Sequence, residues 1–341
     1  MKATKTGNAR PRCSVVIRAY NEAEHIGRLL YGISQQTLDG VEIILVDSGS
    51  TDETVRIARQ YPVQVVSIRP SAFTFGRALN LGIRHARGEF IVMASAHVYP
   101  VYPDWLERLL EPFADPGVAV TYGKQRGPAG AKFSEQQVFA RWYPDISEQR
   151  QIHPFCNNAN AAIRRRLWEQ HPYDETLTGL EDLAWAQWAM DAGYAVSYVA
   201  EAEIIHVHDE TPRQVLNRYR REAIAFKRLY PDEEFSFWDF LRLWLGNTFN
   251  DLWHARQQKQ LWRHWRDIFW FRLMQFWGTY QGYKQSGPIT WQLRQTFYYP
   301  HGWKTTNGAR RREVEPIRYG QGLGIGEQGR GAGGQGGGDG A

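Results

Sequence analysis

From residue 13 to residue 122, short β-branched runs alternate with longer amphipathic stretches, the pattern of βα units around a mainly parallel sheet buried on both faces. Strands are expected at residues 14–17, 42–46, 64–68, 90–93 and 118–121, with helices near 23–35, 52–60, 75–86 and 103–113. Ser50 and Glu53 have the spacing of a capping box, and Gly49 permits the tight turn out of the second strand. Beyond residue 122 the pattern changes. Residues 124–151, with Pro and Gly, read as loop, and residues 157–164 bring small polar side chains up to a strand. Residues 181–192 read as a helix with Leu183, Trp185, Trp188 and Ala189 on one face. Residues 196–199 and 203–206 read as short strands, the second running into His206-Val-His208, and residues 211–230 as a basic amphipathic helix carrying Arg213, Arg218, Arg220, Arg221 and Lys227.

In such sheets ligands gather at the carboxyl ends of the strands. Those ends carry Arg18, Tyr20, Asn21 and Glu22 after the first strand, Asp47 and Ser48 after the second, Arg69 and Pro70 after the third, and Ser95, Ala96 and His97 after the fourth. The net charge of +5 and pI near 9.1 suit nucleotide phosphates, nucleic acid or an anionic membrane face, and choose none of them. Two cysteines, Cys13 and Cys156, are too few for a disulfide framework, and residues 1–12 have no apolar core of a secretory signal, so a reducing cytoplasm is expected. No run of about 18 apolar residues predicts a spanning helix.

The pair Glu181-Asp182 opens a helix. A carboxylate desolvated beside a second acid gains proton affinity and can serve as a general base, whereas acids at a helix start can also do no more than complement the macrodipole. Transfer of a sugar from a nucleotide diphosphate needs a base and a charge sink facing each other across the anomeric carbon. Asp182 supplies the first, with Glu181 in support. The sink is either a metal held by His97 with His206 or His208, or cationic side chains such as Arg18 and Arg77 without metal. Asp47 either accepts from base or ribose or caps the turn before Ser50. Asn80 is either a ligand contact or an exposed helix residue.

With these motifs in order, the chain resembles a family 2 glycosyltransferase of the GT-A fold, in pattern nearest the rhamnosyltransferase-type members. The resemblance is carried by residues 14–22 (SVVIRAYNE), 44–52 (ILVDSGSTD), 75–80 (FGRALN) with 86–89 (ARGE), and Glu181-Asp182. It implies a mixed α/β sheet with helices on both faces, an inverting transfer with Asp182 as base, and a nucleotide-sugar site drawing on Arg18, Tyr20, Asn21, Glu22, Asp47, Ser48, Arg77, Asn80, Ser95, Ala96 and His97. One departure is large. Where most members have Asp-X-Asp to hold a metal on the diphosphate, this chain has Ser95-Ala96-His97, with His97 in place of the second Asp. Imidazole suits Mn2+ or Zn2+ better than Mg2+, so the expectation is a divalent cation with Mn2+ favoured, or transfer without metal. Ser48 stands where many uridine-using members have a further Asp, which leaves the nucleotide open.

Residues 235–303 hold nine of the 14 tryptophans and eight Lys/Arg against three Asp. Trp262, Trp265, Phe269 and Phe276 recur at helical spacing beside Arg263, Arg266 and Arg272, as in a helix lying on an anionic membrane surface. Packing over the catalytic domain or in a dimer is the alternative, and oligomerisation stays open. Nucleic acid is not expected as a partner, because no recognised module frames the basic residues. The expected organisation is an N-terminal arm (1–12), a transferase domain (13–230), a Trp-rich helical extension (231–305) and a disordered tail (306–341), of which residues 320–341 have 12 glycines in 22. The expected function is sugar transfer from a nucleotide diphosphate donor to a lipid-linked or polysaccharide acceptor at the inner face of the plasma membrane. A catalytically silent nucleotide- or glycan-binding relative is the alternative. A sugar-phosphate nucleotidyltransferase is disfavoured, since residues 18–22 contain no glycine for a phosphate loop.

Overall fold

The computed structural model describes residues 10–284 and 314–320. The first element is β1 (Cys13–Ala19), followed by α1 (Ile26–Ser34), β2 (Val41–Asp47), α2 (Thr54–Ala58), β3 (Val63–Ser67), α3 (Phe75–His85), β4 (Phe90–Ser95), β5 (Val98–Pro100) and α4 (Trp105–Leu110). Then come β6 (Val118–Arg126), α5 (Phe133–Trp142), β7 (Asn160–Arg164), α6 (Arg165–Gln170), α7 (Glu181–Asp191) and β8 (Ala195–His206). Three long helices close the order: α8 (Pro212–Leu229), α9 (Phe237–Gln257) and α10 (Leu261–Lys284).

The strands form one sheet in the order β3-β2-β1-β4-β7-β6-β8-β5. Its first four are parallel, while β7 runs antiparallel to both β4 and β6, so the sheet is mixed. The β-branched runs are buried because both faces are covered. Leu29 and Leu30 of α1 and Leu106 and Leu109 of α4 pack on one face against Val15, Ile17 and Val92. Leu79 and Ile83 of α3, Leu167 of α6 and Trp185 and Ala189 of α7 pack on the other against Val16, Ile44 and Met93.

Four expectations differ from the structure in instructive ways. Residues 124–151 are not all loop: β6 continues to Arg126 and α5 follows, its buried face including the polar Ser134 and Glu135, so no apolar period marks it. The two strands read at 196–199 and 203–206 are one 12-residue strand, β8. Ser50 does not cap α2. Its hydroxyl accepts from the Asn21 N–H, and α2 begins at Thr54, whose N–H donates to Asp52 Oδ1. Gly49 does make the turn, at φ 91°. In α10, Phe276 and Arg272 face inward (1% and 5% exposed), while Trp262, Trp265 and Phe269 stay exposed.

The last helices are packed on the sheet domain. Leu183 of α7 shares an apolar cluster with Phe226 of α8, Phe240 of α9 and Phe276 of α10. Gly278 and Gly282 let α10 approach α8 closely, for a Cβ at either would stand 2.4 Å from Leu216 O or 2.5 Å from Arg220 O. Asp251 of α9, fully buried, accepts from Arg272 Nε (2.7 Å) and Nη2 (3.1 Å) and from Ser134 Oγ (2.6 Å), pinning α9, α10 and α5 together. Most of the N-terminal arm and most of the tail lie outside the described residues. Within the tail, residues 314–320 lie along β5, where Ile317 N–H donates to Val101 O (2.9 Å) and the Tyr319 hydroxyl to Pro100 O.

Candidate active site

The acid pair is set by one unusual backbone position. Leu180, the residue before α7, is left-handed (φ 58°), a conformation that costs a non-glycine residue about 1–3 kcal/mol. Beyond it the two carboxylates take different partners. Glu181 Oε1 accepts from Arg18 Nη1 at 2.8 Å and from Asn158 Nδ2 at 3.4 Å. Asp182 accepts from two backbone amides, Asn158 N–H at 3.0 Å and Leu183 N–H at 2.8 Å. Burial, and after it the charge of Glu181, raise the Asp182 pKa to about 7, against the pull of those amides and of Arg18. A carboxylate so held is poised to exchange a proton near neutral pH.

Three histidines converge a short way off. One ring nitrogen from each of His97, His206 and His208 lies within 4.8 Å of the others. His97 follows β4, His206 ends β8 and His208 lies two residues on. Each Nδ1 has an acceptor: Glu22 Oε1 for His97 (2.8 Å), Gln125 Oε1 for His206 (2.7 Å) and Glu135 Oε1 for His208 (2.8 Å). The Nε2 atoms of His206 and His208 are 3.0 Å apart. Two nitrogens each about 2.0–2.1 Å from one metal stand about 3.0–3.4 Å apart, so this donor set fits a borderline cation such as Mn2+ or Zn2+ better than Mg2+. Burial drives the pKa of both His206 and His208 well below the usual imidazole value, which keeps both rings neutral and able to ligate.

The other residues singled out from sequence are placed as follows. Arg18 also lies over the Phe75 ring, 4.9 Å from its centroid. Tyr20 is exposed. Asn21 holds the β1 loop to the β2 loop, its Oδ1 accepting from Thr51 N–H (2.8 Å). Asp47 is buried and accepts from the Gly49 and Ser50 amides at 3.2 Å, as a turn cap does. Ser48 Oγ donates to Ala19 O. Arg77 pairs with Glu175 at 2.8 Å and donates to Ala72 O. Asn80, read as exposed if not a ligand contact, is buried: Oδ1 accepts from Trp168 Nε1 and Tyr173 N–H, and Nδ2 donates to Tyr173 O and Glu175. Ser95 ends β4 and Ala96 is fully buried. Thus Glu22 and the three histidines come together, as do Arg18, Glu181 and Asp182, whereas Arg77 and Asn80 belong to a separate network around Glu175.

A cavity of about 170 Å³ joins the two groups, its wall including Asp182, His206 and His208. It is completed by residues that sequence reasoning missed or left without a role: Trp142 at the end of α5, Tyr143 directly after it, Phe155, and Arg218, Tyr219 and Glu222 of α8. Glu135 had no signal in the sequence, since α5 was hidden there. Arg218 was visible only as one charge of a basic helix, yet it pairs with Glu210 at 2.6 Å and reaches Glu135 at 3.5 Å.

Residues 14–171 match the model of Glycosyl transferase family 2. The O-antigen chain rhamnosyltransferase WbaN of Salmonella anatum is 29% identical over 223 residues, which is 61% of this chain and 70% of that protein. The glycosyltransferase AglE of Haloferax volcanii is 27% identical over 214 residues, 59% of this chain and 68% of that one. The mannosyltransferase PcManGT from Pyrobaculum calidifontis, solved with GDP-Man and Mn2+, has a similar structure with a TM-score of 0.56 at 20% identity, covering 80% of this chain and 86% of that one. At that identity the likeness is one of fold, and the fold is GT-A.

Proposed function

We propose, from the match of residues 14–171 to the model of Glycosyl transferase family 2, that this protein moves a sugar from a nucleotide diphosphate donor to a hydroxyl of a lipid-linked or polysaccharide acceptor, with inversion at the anomeric carbon. The observation that carries this reading is the single cavity walled by both Asp182 and the His206–His208 pair. Asp182, with its raised proton affinity, takes the proton of the acceptor hydroxyl. The freed oxygen attacks the anomeric carbon as the bond to the diphosphate breaks, and the electron pair leaves with the nucleotide. Glu181 holds Arg18 beside this path and supports the base. A divalent cation held by His97, His206 and His208, Mn2+ in preference to Mg2+, would neutralise the leaving diphosphate. The strand-end residues from Arg18 to Glu22 and from Asp47 to Ser48 would receive the nucleotide.

The rhamnosyltransferase relatives support a deoxyhexose donor and an acceptor of the O-antigen kind. We take residues 13–230 as the transfer domain and 231–305 as its appendage. Among the described residues 11 large hydrophobic side chains stand exposed, and eight of them lie on α9 and α10, Trp238, Phe249, Trp253 and Trp262 included, with Arg242, Arg256, Arg263 and Arg266 on the same helices. No helix among the described residues is long and apolar enough to cross a membrane. An aromatic and basic face of this kind supports peripheral binding to the anionic inner face of the plasma membrane, where lipid-linked acceptors are held. The test is a panel of nucleotide sugars scored by thermal shift with and without Mn2+, followed by nucleotide release with the stabilising donor. One donor should both stabilise the chain and be turned over. Stabilisation without turnover on any glycan acceptor would mark a silent binding relative.

A further inference from the structure

We propose that the aromatic cavity between α5 and α8 is the acceptor subsite, and that it takes the terminal pyranose ring of the acceptor glycan against Trp142 and Phe155, with Tyr219 and Glu222 meeting its hydroxyls. The assignment rests on the glycosyl-transfer reading and deepens it.

Its first support is position. The strand-end residues from Arg18 to Glu22, Asp47 to Ser48 and Ser95 to His97 all lie in the first 100 residues, and none of them lines this cavity, whose wall begins at Gln125. The cavity therefore takes its wall from later parts of the chain and meets the rest of the site through Asp182 and the His206–His208 pair, which line it. The acid pair has the same polarity: Glu181 turns to Arg18 of β1, while Asp182 lines the cavity. A hydroxyl held in the cavity has Asp182 in the surrounding wall.

Its second support is the wall. Trp142 and Phe155 are half-buried, and their ring centroids are 4.6 Å apart at 33°. Tyr219 and Glu222, one helical turn apart on α8, are half-buried and line the same space. The C–H face of a pyranose suits an aromatic wall, while its rim of hydroxyls needs a few placed polar groups, which is the common plan of small-ligand sites. The volume of about 170 Å³ falls below the roughly 300–1,000 Å³ of drug-sized sites, so one ring enters and the rest of the glycan stays outside.

The experiment is steady-state kinetics of the full chain, with donor and acceptor varied separately, for wild type, Trp142→Ala, Trp142→Phe and Glu222→Gln. We expect Trp142→Ala to raise the acceptor KM about tenfold, Trp142→Phe to recover most of that loss, and Glu222→Gln to raise the acceptor KM as well. The donor KM should move less than about twofold in all three, which also reports an intact fold. A rise in donor KM as large as that in acceptor KM, or an acceptor KM left unchanged by either Trp142→Ala or Glu222→Gln, overturns the assignment. A wild-type chain that releases no nucleotide from any donor would fail the glycosyl-transfer reading itself, a different result from transfer with a donor-side defect.

Discussion

The Nε2 atoms of His206 and His208 stand 3.0 Å apart, and the opposite nitrogen of each ring is held by an oxygen. The holders fix the tautomers. Gln125 cannot turn its amide around, because its Nε2 donates to Asn157 Oδ1, which itself accepts from Ala159 N–H. Glu135 offers His208 a carboxylate. With both protons on Nδ1, two Nε2 lone pairs face each other, an arrangement that a cation between them relieves.

It follows that Mn2+ should raise the melting temperature of the full chain, and that His206→Ala or His208→Ala should abolish the rise. Glu135→Ala, which removes only a holder, should weaken metal affinity about 10–100-fold. Because the pKa of both rings is lowered, metal binding should persist further into acid than an ordinary imidazole pair allows. Calorimetric titration with Mn2+ between neutral pH and pH 5 tests all three, and affinity indifferent to His206 and His208 would place the metal elsewhere.

Asp182→Asn should keep donor binding and cut turnover by roughly 10²–10⁴-fold, whereas Glu181→Gln should be milder. In the wild type the rate should fall as pH drops through about 7, where Asp182 becomes protonated. The stability effect has the opposite sense. With a folded pKa above the unfolded one, the folded state binds more protons between about pH 4 and 7, so stability declines as pH rises through that window. Asp182→Asn should lack that part of the decline in thermal unfolding curves, and parallel curves for the two proteins would contradict the assignment.

Asp251→Ala should destabilise the chain by about 3–5 kcal/mol, because it leaves the Arg272 guanidinium buried without its carboxylate. Replacing both together, with Asp251→Leu and Arg272→Met, should cost less than the single change. Denaturant unfolding of the three proteins decides it.

The proposed membrane face calls for substitution rather than truncation, since α9 and α10 share a core with α7 and α8 and their removal would expose it. Replacing Phe249, Trp253 and Trp262 by Ser should abolish binding to vesicles containing anionic lipid while leaving unfolding nearly unchanged. Salt should weaken wild-type binding, because part of it is attraction between arginines and headgroups. Vesicle binding that survives the triple change would assign these rings another role.

The sequence by itself determined the sheet and its first helices, because burial on both faces imposes continuous β-branched strands and a 3.6-residue period on the helices that cover them. It also placed Glu181 and Asp182 at a helix start and His97 at a strand end, since these depend on neighbours a few residues away. Tertiary structure decided the rest. Helix α5 was illegible because its buried face carries Ser134 and Glu135, whose partners Asp251 and His208 lie 117 and 73 residues away in the chain. Asn80, which local sequence allows as a ligand contact or an exposed helix residue, is instead buried and bonded to Trp168 and Tyr173, 88 and 93 residues away. His97 and His206 become neighbours only because β5, directly after His97, pairs antiparallel with the end of β8 and sets Val98 opposite His206. A period in a sequence records burial against something, and it does not record what that something is.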